Sequence, residues 1–154
     1  YGQSLAYLEQ ALEIQRRLGN RLSESNVLSN FGNTYVEMKD YAKAKEYYED
    51  AIKIRKEIND EKGIAMALGN LGIIARLETD TAKAKEYFNR ARIIGNRLGD
   101  KEVEAIVMSN LALLSSMGNQ QESEKLLLSS LQKSKELGNP ILIMANSFYC
   151  NFIQ

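Results

Sequence analysis

The chain has 154 residues, is 44% hydrophobic and 26% charged, and carries 20 basic against 20 acidic side chains, so its formal net charge is zero. That length suits one domain with a core, and the charge balance gives the whole chain no pull toward nucleic acid or an anionic membrane. Histidine is absent and Cys150 is the single cysteine, which removes the commonest general base, the commonest zinc ligand, an intrachain disulfide and a cysteine-rich metal site.

The spacing of apolar residues predicts helices near 2–18, 22–38, 41–58, 62–78, 81–98, 102–117 and 120–137, with an eighth from 140 to the end. The first stops at Leu18-Gly19, where glycine tolerates the left-handed conformation past a helix end, and Asn20 is placed to cap the second. Asp40 opens the third. Along it Tyr41, Ala44, Tyr48, Ala51, Ile52 and the Ile54–Arg55 pair alternate with charged positions at helical spacing. Glu49 and Lys53 stand in the favourable acid-first i,i+4 order, and the charged face is expected to be solvated. Asn59, Gly99 and Gly138 stand where later helices end. Asp60, Asp80, Asp100, Asn119 and Asn139 are placed as the caps that follow. Pro140, the only proline, falls in a first helical turn, where its missing N–H costs nothing.

These elements recur about every forty residues. Leu18-Gly19-Asn20 returns as Ile58-Asn59-Asp60, Leu98-Gly99-Asp100 and Leu137-Gly138-Asn139. Asn30-Phe31-Gly32 returns as Asn70-Leu71-Gly72 and Asn110-Leu111-Ala112. A fixed period of this size indicates stacked units and an extended binding surface, not a closed globule with a catalytic pocket.

Leu28, Phe31, Gly32, Tyr35, Ala44, Tyr48 and Ala51 form a pattern that resembles the tetratricopeptide repeat. Leu68, Leu71, Gly72, Ala75, Ala84, Phe88 and Ala91 repeat it. Met108, Leu111, Ala112, Ser115, Ser123, Leu127 and Ser130 give a weaker copy after a one-residue deletion. The resemblance implies an all-α, right-handed superhelical solenoid of antiparallel helix pairs. It divides residues 1–154 into the second helix of a partial repeat (1–20), repeats at 21–60, 61–100 and 101–139, and the first helix of another (140–154). The long period and the missing closing proline are similar to the Pins/LGN adaptors, the kinesin light chains and the Rap-type bacterial regulators. In the pattern, small residues let paired helices approach and aromatics fill the space between successive repeats.

Within this resemblance the first helix of each repeat lines a concave groove. The implied groove positions are Asn26, Ser29, Asn30, Asn33, Val36 and Glu37, then Met66, Gly69, Asn70, Ile73, Arg76 and Leu77, then Ile106, Ser109, Asn110, Leu113, Ser116 and Met117. Asn30, Asn70 and Asn110 form a ladder at one register. Each amide can donate and accept at once, so the ladder either clamps a peptide backbone or bonds neighbouring helices. Asn33, which is not repeated, is expected to contact ligand. Arg76 is expected to pair with Glu37, the alternative being a ligand carboxylate. Gly69 is expected to permit tight helix packing rather than leave room for a ligand. Gly95 has no evident reason in the sequence.

The resemblance implies a non-enzymatic protein–protein interaction module that binds an extended peptide or partner segment, without cofactor or metal, and without direct contact to nucleic acid or membrane. A clamp for a C-terminal carboxylate is disfavoured by the few groove cations. The alternative is a structural or self-associating arm of a bacterial or archaeal signalling or transcriptional regulator. The apolar segment Ile141 to Ile153 is too apolar for a solvated cap. It suggests an excerpt of a longer protein, or a homo-oligomer formed through the open terminal helices. A cytoplasmic setting is expected from the single cysteine and from the lack of a visible signal peptide or of an apolar run near the ~18 residues of a membrane span.

Overall fold

The computed structural model describes residues 1–115 and 120–153, with side chains as far as residue 147. The described residues form α1 (Gly2–Arg17), α2 (Arg21–Glu37), α3 (Tyr41–Glu57), α4 (Glu61–Leu77), α5 (Thr81–Leu98), α6 (Lys101–Ser115), α7 (Gln120–Leu137) and α8 (Pro140–Ile153). These are the expected helices, shifted by a residue or two at their ends. Residues Ser116, Met117 and Asn119 lie outside the described residues, as does the side chain of Cys150.

The punctuation works as the residue types dictate. Asn20 accepts from the Ser23 amide, and Asp40, Asp60 and Asp80 accept from the Lys43, Gly63 and Lys83 amides at 2.9–3.2 Å. Asp100 accepts from the Glu102 and Val103 amides, and Asn139 from those of Ile141 and Leu142. Each bond satisfies a donor that the helix start leaves open. Among the described residues the left-handed turn residues are Gly19, Gly99 and Gly138 together with Asn59, Lys39 and Thr79.

Helices α2 and α3, α4 and α5, and α6 and α7 pair most closely, and each pair leans on the next through α3 with α4, α5 with α6 and α7 with α8. Close pairing needs small residues. A methyl on Gly32 would stand 2.8 Å from the Tyr48 ring, and one on Gly72 would stand 2.6 Å from the Phe88 ring. The aromatics therefore fill the space inside their own repeats first, a correction to their expected place between repeats. Ala44, Ala51, Ala84, Ala91 and Ala112 are fully buried around them.

The last pair solves the same problem with hydroxyls. Ser123, Ser130 and Ser134 stand where α5 has Ala84, Ala91 and Gly95, and all three are fully buried. Ser123 donates to the Ala112 carbonyl at 2.8 Å, and Ser130 to the Ala105 carbonyl at 2.7 Å. The Asn146 amide of α8 donates to Ser130 at 2.8 Å and Ser134 at 2.9 Å, and its oxygen accepts from Ser109. A buried network with every member bonded fixes the docking of α8.

The two inner junctions use opposite size patterns. At the first, the buried Arg55 donates to the Gly63 carbonyl at 2.6 Å and to Asn26 at 3.0 Å. It also reaches Ser25 at 3.3 Å and Asp60 at 3.6 Å. At the second, Gly95 faces Val103, whose methyl would lie 2.8 Å from any added Cβ. This explains Gly95: a large residue on α3 meets glycine on α4, and glycine on α5 meets valine on α6. The expected Glu49–Lys53 pair is absent, because Lys53 turns to Asp50 at 2.8 Å instead.

Candidate functional site

The first helices of successive pairs touch, α4 with α6 and α6 with α8, so they line the tighter, concave side. On that side a recess of about 80 Å³ opens between α4 and α6. A water needs only ~10–15 Å³ by the same kind of measure, so the recess has room for the end of an apolar side chain. Met66, Gly69, Asn70 and Ile73 line it from α4, and Val103, Ile106 and Val107 from α6. With Ala65, also of α4, the lining has eight residues, of which five are predicted groove residues. Ala65, Val103 and Val107 were missed because their apolar character matches core positions.

Gly69 corrects an expectation. A methyl built on it would meet nothing within 4 Å. The glycine does not serve tight helix packing; its missing side chain is the open floor of the recess. Asn70 is the single polar group in the lining, and its side-chain amide has no hydrogen-bond partner among the described residues.

The asparagines divide. Asn30 is exposed with its side-chain amide unbonded, and its main-chain carbonyl accepts from Thr34. Asn110 spends its amide on the Ile106 carbonyl of its own helix at 2.9 Å. Asn26 is held by Arg55. Asn33 accepts from the Tyr48 hydroxyl at 2.5 Å, so its first task is to satisfy a buried phenol. The ladder therefore has two open rungs, Asn30 and Asn70, and one engaged rung.

The expected Arg76–Glu37 pair does not form. Glu37 is exposed and makes no ion pair among the described residues. Arg76 is half-buried, and its Nε is buried without a partner. The groove thus carries an under-satisfied cation two turns along α4 from Gly69. Leu113 is half-buried on α6 outside the recess, and Ser109 is absorbed by the Asn146 network.

Arg55 and Asn146 were not predicted as key residues. A faint signal existed for Arg55, the one charged residue on the apolar stripe of α3. For Asn146 the signal was the replacement of alanine or glycine by serine at 123, 130 and 134.

Among the described residues no group of three or more acidic or cysteine side chains could hold a metal ion. No helix among them is long and apolar enough to cross a membrane.

The family model for the tetratricopeptide repeat matches residues 1–57 and 63–136. No curated protein matches the chain. The crystal structure of BtubC (BKLC) from P. vanneervenii is similar with a TM-score of 0.63 at 16% identity, over 99% of this chain and 90% of that one. At that identity the likeness speaks for a shared fold. The sequence match runs through α1 to α7 and stops before α8, covering well over half of the chain, and on that basis the chain belongs to the tetratricopeptide repeat family.

Proposed function

We propose that residues 1–154 form one repeat domain that binds an extended segment of a partner protein along its concave side. Tetratricopeptide repeats mediate protein–protein interaction and are scaffolds, not enzymes. The observation that carries the finer statement is the recess over Gly69, an apolar socket with one unbonded amide at its edge. An apolar side chain of the partner enters the socket. Asn70 and Asn30 bond its main chain, which an amide does regardless of side-chain identity. Arg76 takes an acidic group, since a cation with an unmet buried donor gains most from a charged acceptor. A cytoplasmic adaptor or regulator fits this chemistry.

The second candidate, a purely structural arm, draws support from Asn26, Asn33 and Asn110, whose amides all serve the fold. Substitution at Gly69 separates the two. Gly69→Ala removes a helix-interior glycine and should raise stability by about 1 kcal/mol. Gly69→Leu should fill the recess and leave the melting temperature at or above that of the parent. Peptides selected from a displayed library on the parent chain should lose at least about tenfold in affinity for Gly69→Leu and for the Asn30→Ala/Asn70→Ala pair, equivalent to ~1.4 kcal/mol. Undiminished binding to both variants would refute the groove.

A further inference from the structure

The convex side carries a second cleft, between α3 and α5, of about 270 Å³. Its floor is apolar, made by Ile52 with Leu68 and Leu71 of the intervening α4. Lys53, Lys56 and Arg90 stand at its rim with Glu49 and Tyr87. Lys56 makes no ion pair among the described residues. Lys53 rests on Asp50, and Arg90 lies 3.6 Å from Glu86 with both side chains at least half exposed. Such exposed pairs are weak and exchange readily for a better acceptor. Helix α5 adds to the field, with Lys83, Lys85, Arg90, Arg92 and Arg97 against the single acid Glu86.

The repeat itself does not demand this charge. One repeat earlier the positions of Lys53 and Arg90 hold Glu13 and Asp50, and that of Lys56 holds Arg16, which is bonded to Glu24. One repeat later the three positions hold Ile93, Asn96 and Ser129. The features that pair the helices inside a repeat recur from copy to copy as small residues and caps, whereas these rim charges make no ion pair with a neighbouring helix pair among the described residues. The basic rim occurs at one level only, while the part of the floor made by α4 recurs as Leu28 and Phe31, then Met108 and Leu111; Ile52 is matched by Leu12 one repeat earlier and by Arg92 one repeat later. A cluster of cations around an apolar floor is matched by acidic groups flanking an apolar one, since complementary charge sets partner choice and approach rate.

We propose that the α3–α5 cleft is a second binding site, for an acidic segment of a partner protein that seats one apolar side chain between Ile52 and Leu68 and places carboxylates on Lys56, Lys53 and Arg90. The site is on the opposite face from the groove and stands independently of it. The probe is a fluorescein-labelled peptide of one leucine flanked on both sides by glutamates, followed by anisotropy with the whole chain at about 0.15 M salt, where the screening length is about 8 Å. Lys56→Glu and Arg90→Glu should each weaken binding by about tenfold. Lys85→Glu, an equal charge change elsewhere on α5, should alter it by less than about twofold, because screened distant charges contribute little. A probe with serine in place of leucine should bind more weakly, and Gly69→Leu should leave binding intact. These rim residues are exposed, and unchanged circular dichroism melts will establish that the variants fold. Absence of binding to the parent, equal losses from all three charge reversals, or indifference to the leucine would overturn the site. Loss of probe binding in Gly69→Leu would place the probe in the groove and also overturn it. Salt-sensitive dimerisation of the parent, abolished by Lys56→Glu, would assign the cleft to a second copy and overturn the separate partner.

Discussion

Tyr48 joins three demands in one side chain. Its ring occupies the space left by Gly32, its edge is buried in the core, and its hydroxyl finds Asn33 at the groove surface. Burial pushes the phenol up to about 12 from an ordinary 10.0. The folded state then keeps its proton where the unfolded chain has lost it. The contribution of Tyr48 to stability should be complete below pH 10 and should fall as pH rises toward 12, by about 2–3 kcal/mol in all. Tyr48→Phe should remove that alkaline decline while leaving the neutral fold standing, because exposed Asn33 can turn to water. Denaturant titrations at several alkaline pH values measure it; a parallel decline in parent and variant would show that another group is responsible. Tyr48 was legible as a repeat residue because Phe88 stands forty positions on. The duty of Asn33 was not, since its partner is fifteen residues away on another helix. Arg76 was misread for a related reason: register brought Glu37 close in sequence pattern, but the side chains do not meet.

At the scale of elements, nearly every helix was legible because a cap, an apolar period and a stop signal agree at each boundary. The turns inside the repeats are the exception. Lys39 and Thr79 take the left-handed conformation at φ 61° and 62°, where no glycine or asparagine announces it. Thr79 is β-branched, so its Cβ crowds the following carbonyl by roughly 1–2 kcal/mol. Its hydroxyl recovers part of this through the Glu78 carbonyl at 2.6 Å. Asp80 begins α5 immediately afterwards, so the turn has no room to relax. Thr79→Gly should relieve the strain and, net of the greater freedom of glycine in the unfolded chain, stabilise by about 1 kcal/mol. Thermal unfolding should rise by about 2–4 °C for a chain of this length. A lower midpoint would mean that the hydroxyl contributes more than the strain costs.

The whole molecule is a line of neighbours, so its cooperativity depends on the junctions. The first junction relies on Arg55, which ties α2, α3 and α4 through Asn26 and Gly63. The second relies on the fit of Gly95 to Val103. The last uses the serine and asparagine network around Asn146. Exposed ion pairs run along one edge, with Arg21 to Glu57, Glu61 to Arg97 and Lys101 to Glu136, the sign reversing at each step. Such pairs contribute ~0–1 kcal/mol each and set register more than strength. Burial lowers the pKa of Arg55, opposed by Asp60, yet an arginine there remains charged and must keep its acceptors. Arg55→Ala opens a cavity beside Gly63 and removes the buried bonds to Gly63 and Asn26, leaving among the described residues only the exposed Lys45–Glu78 pair across the junction, and should cost about 3 kcal/mol. Because the loss is local, it should separate the molecule into two unequal halves. Amide exchange should accelerate in α1 to α3 well before α5 and α6, whereas the parent should open these segments together. Arg55→Met, which keeps the volume without the bonds, should recover part of the stability but not the coupling. Uniform acceleration along the whole chain in both variants would show that the junction at Arg55 is no weaker a link than the others.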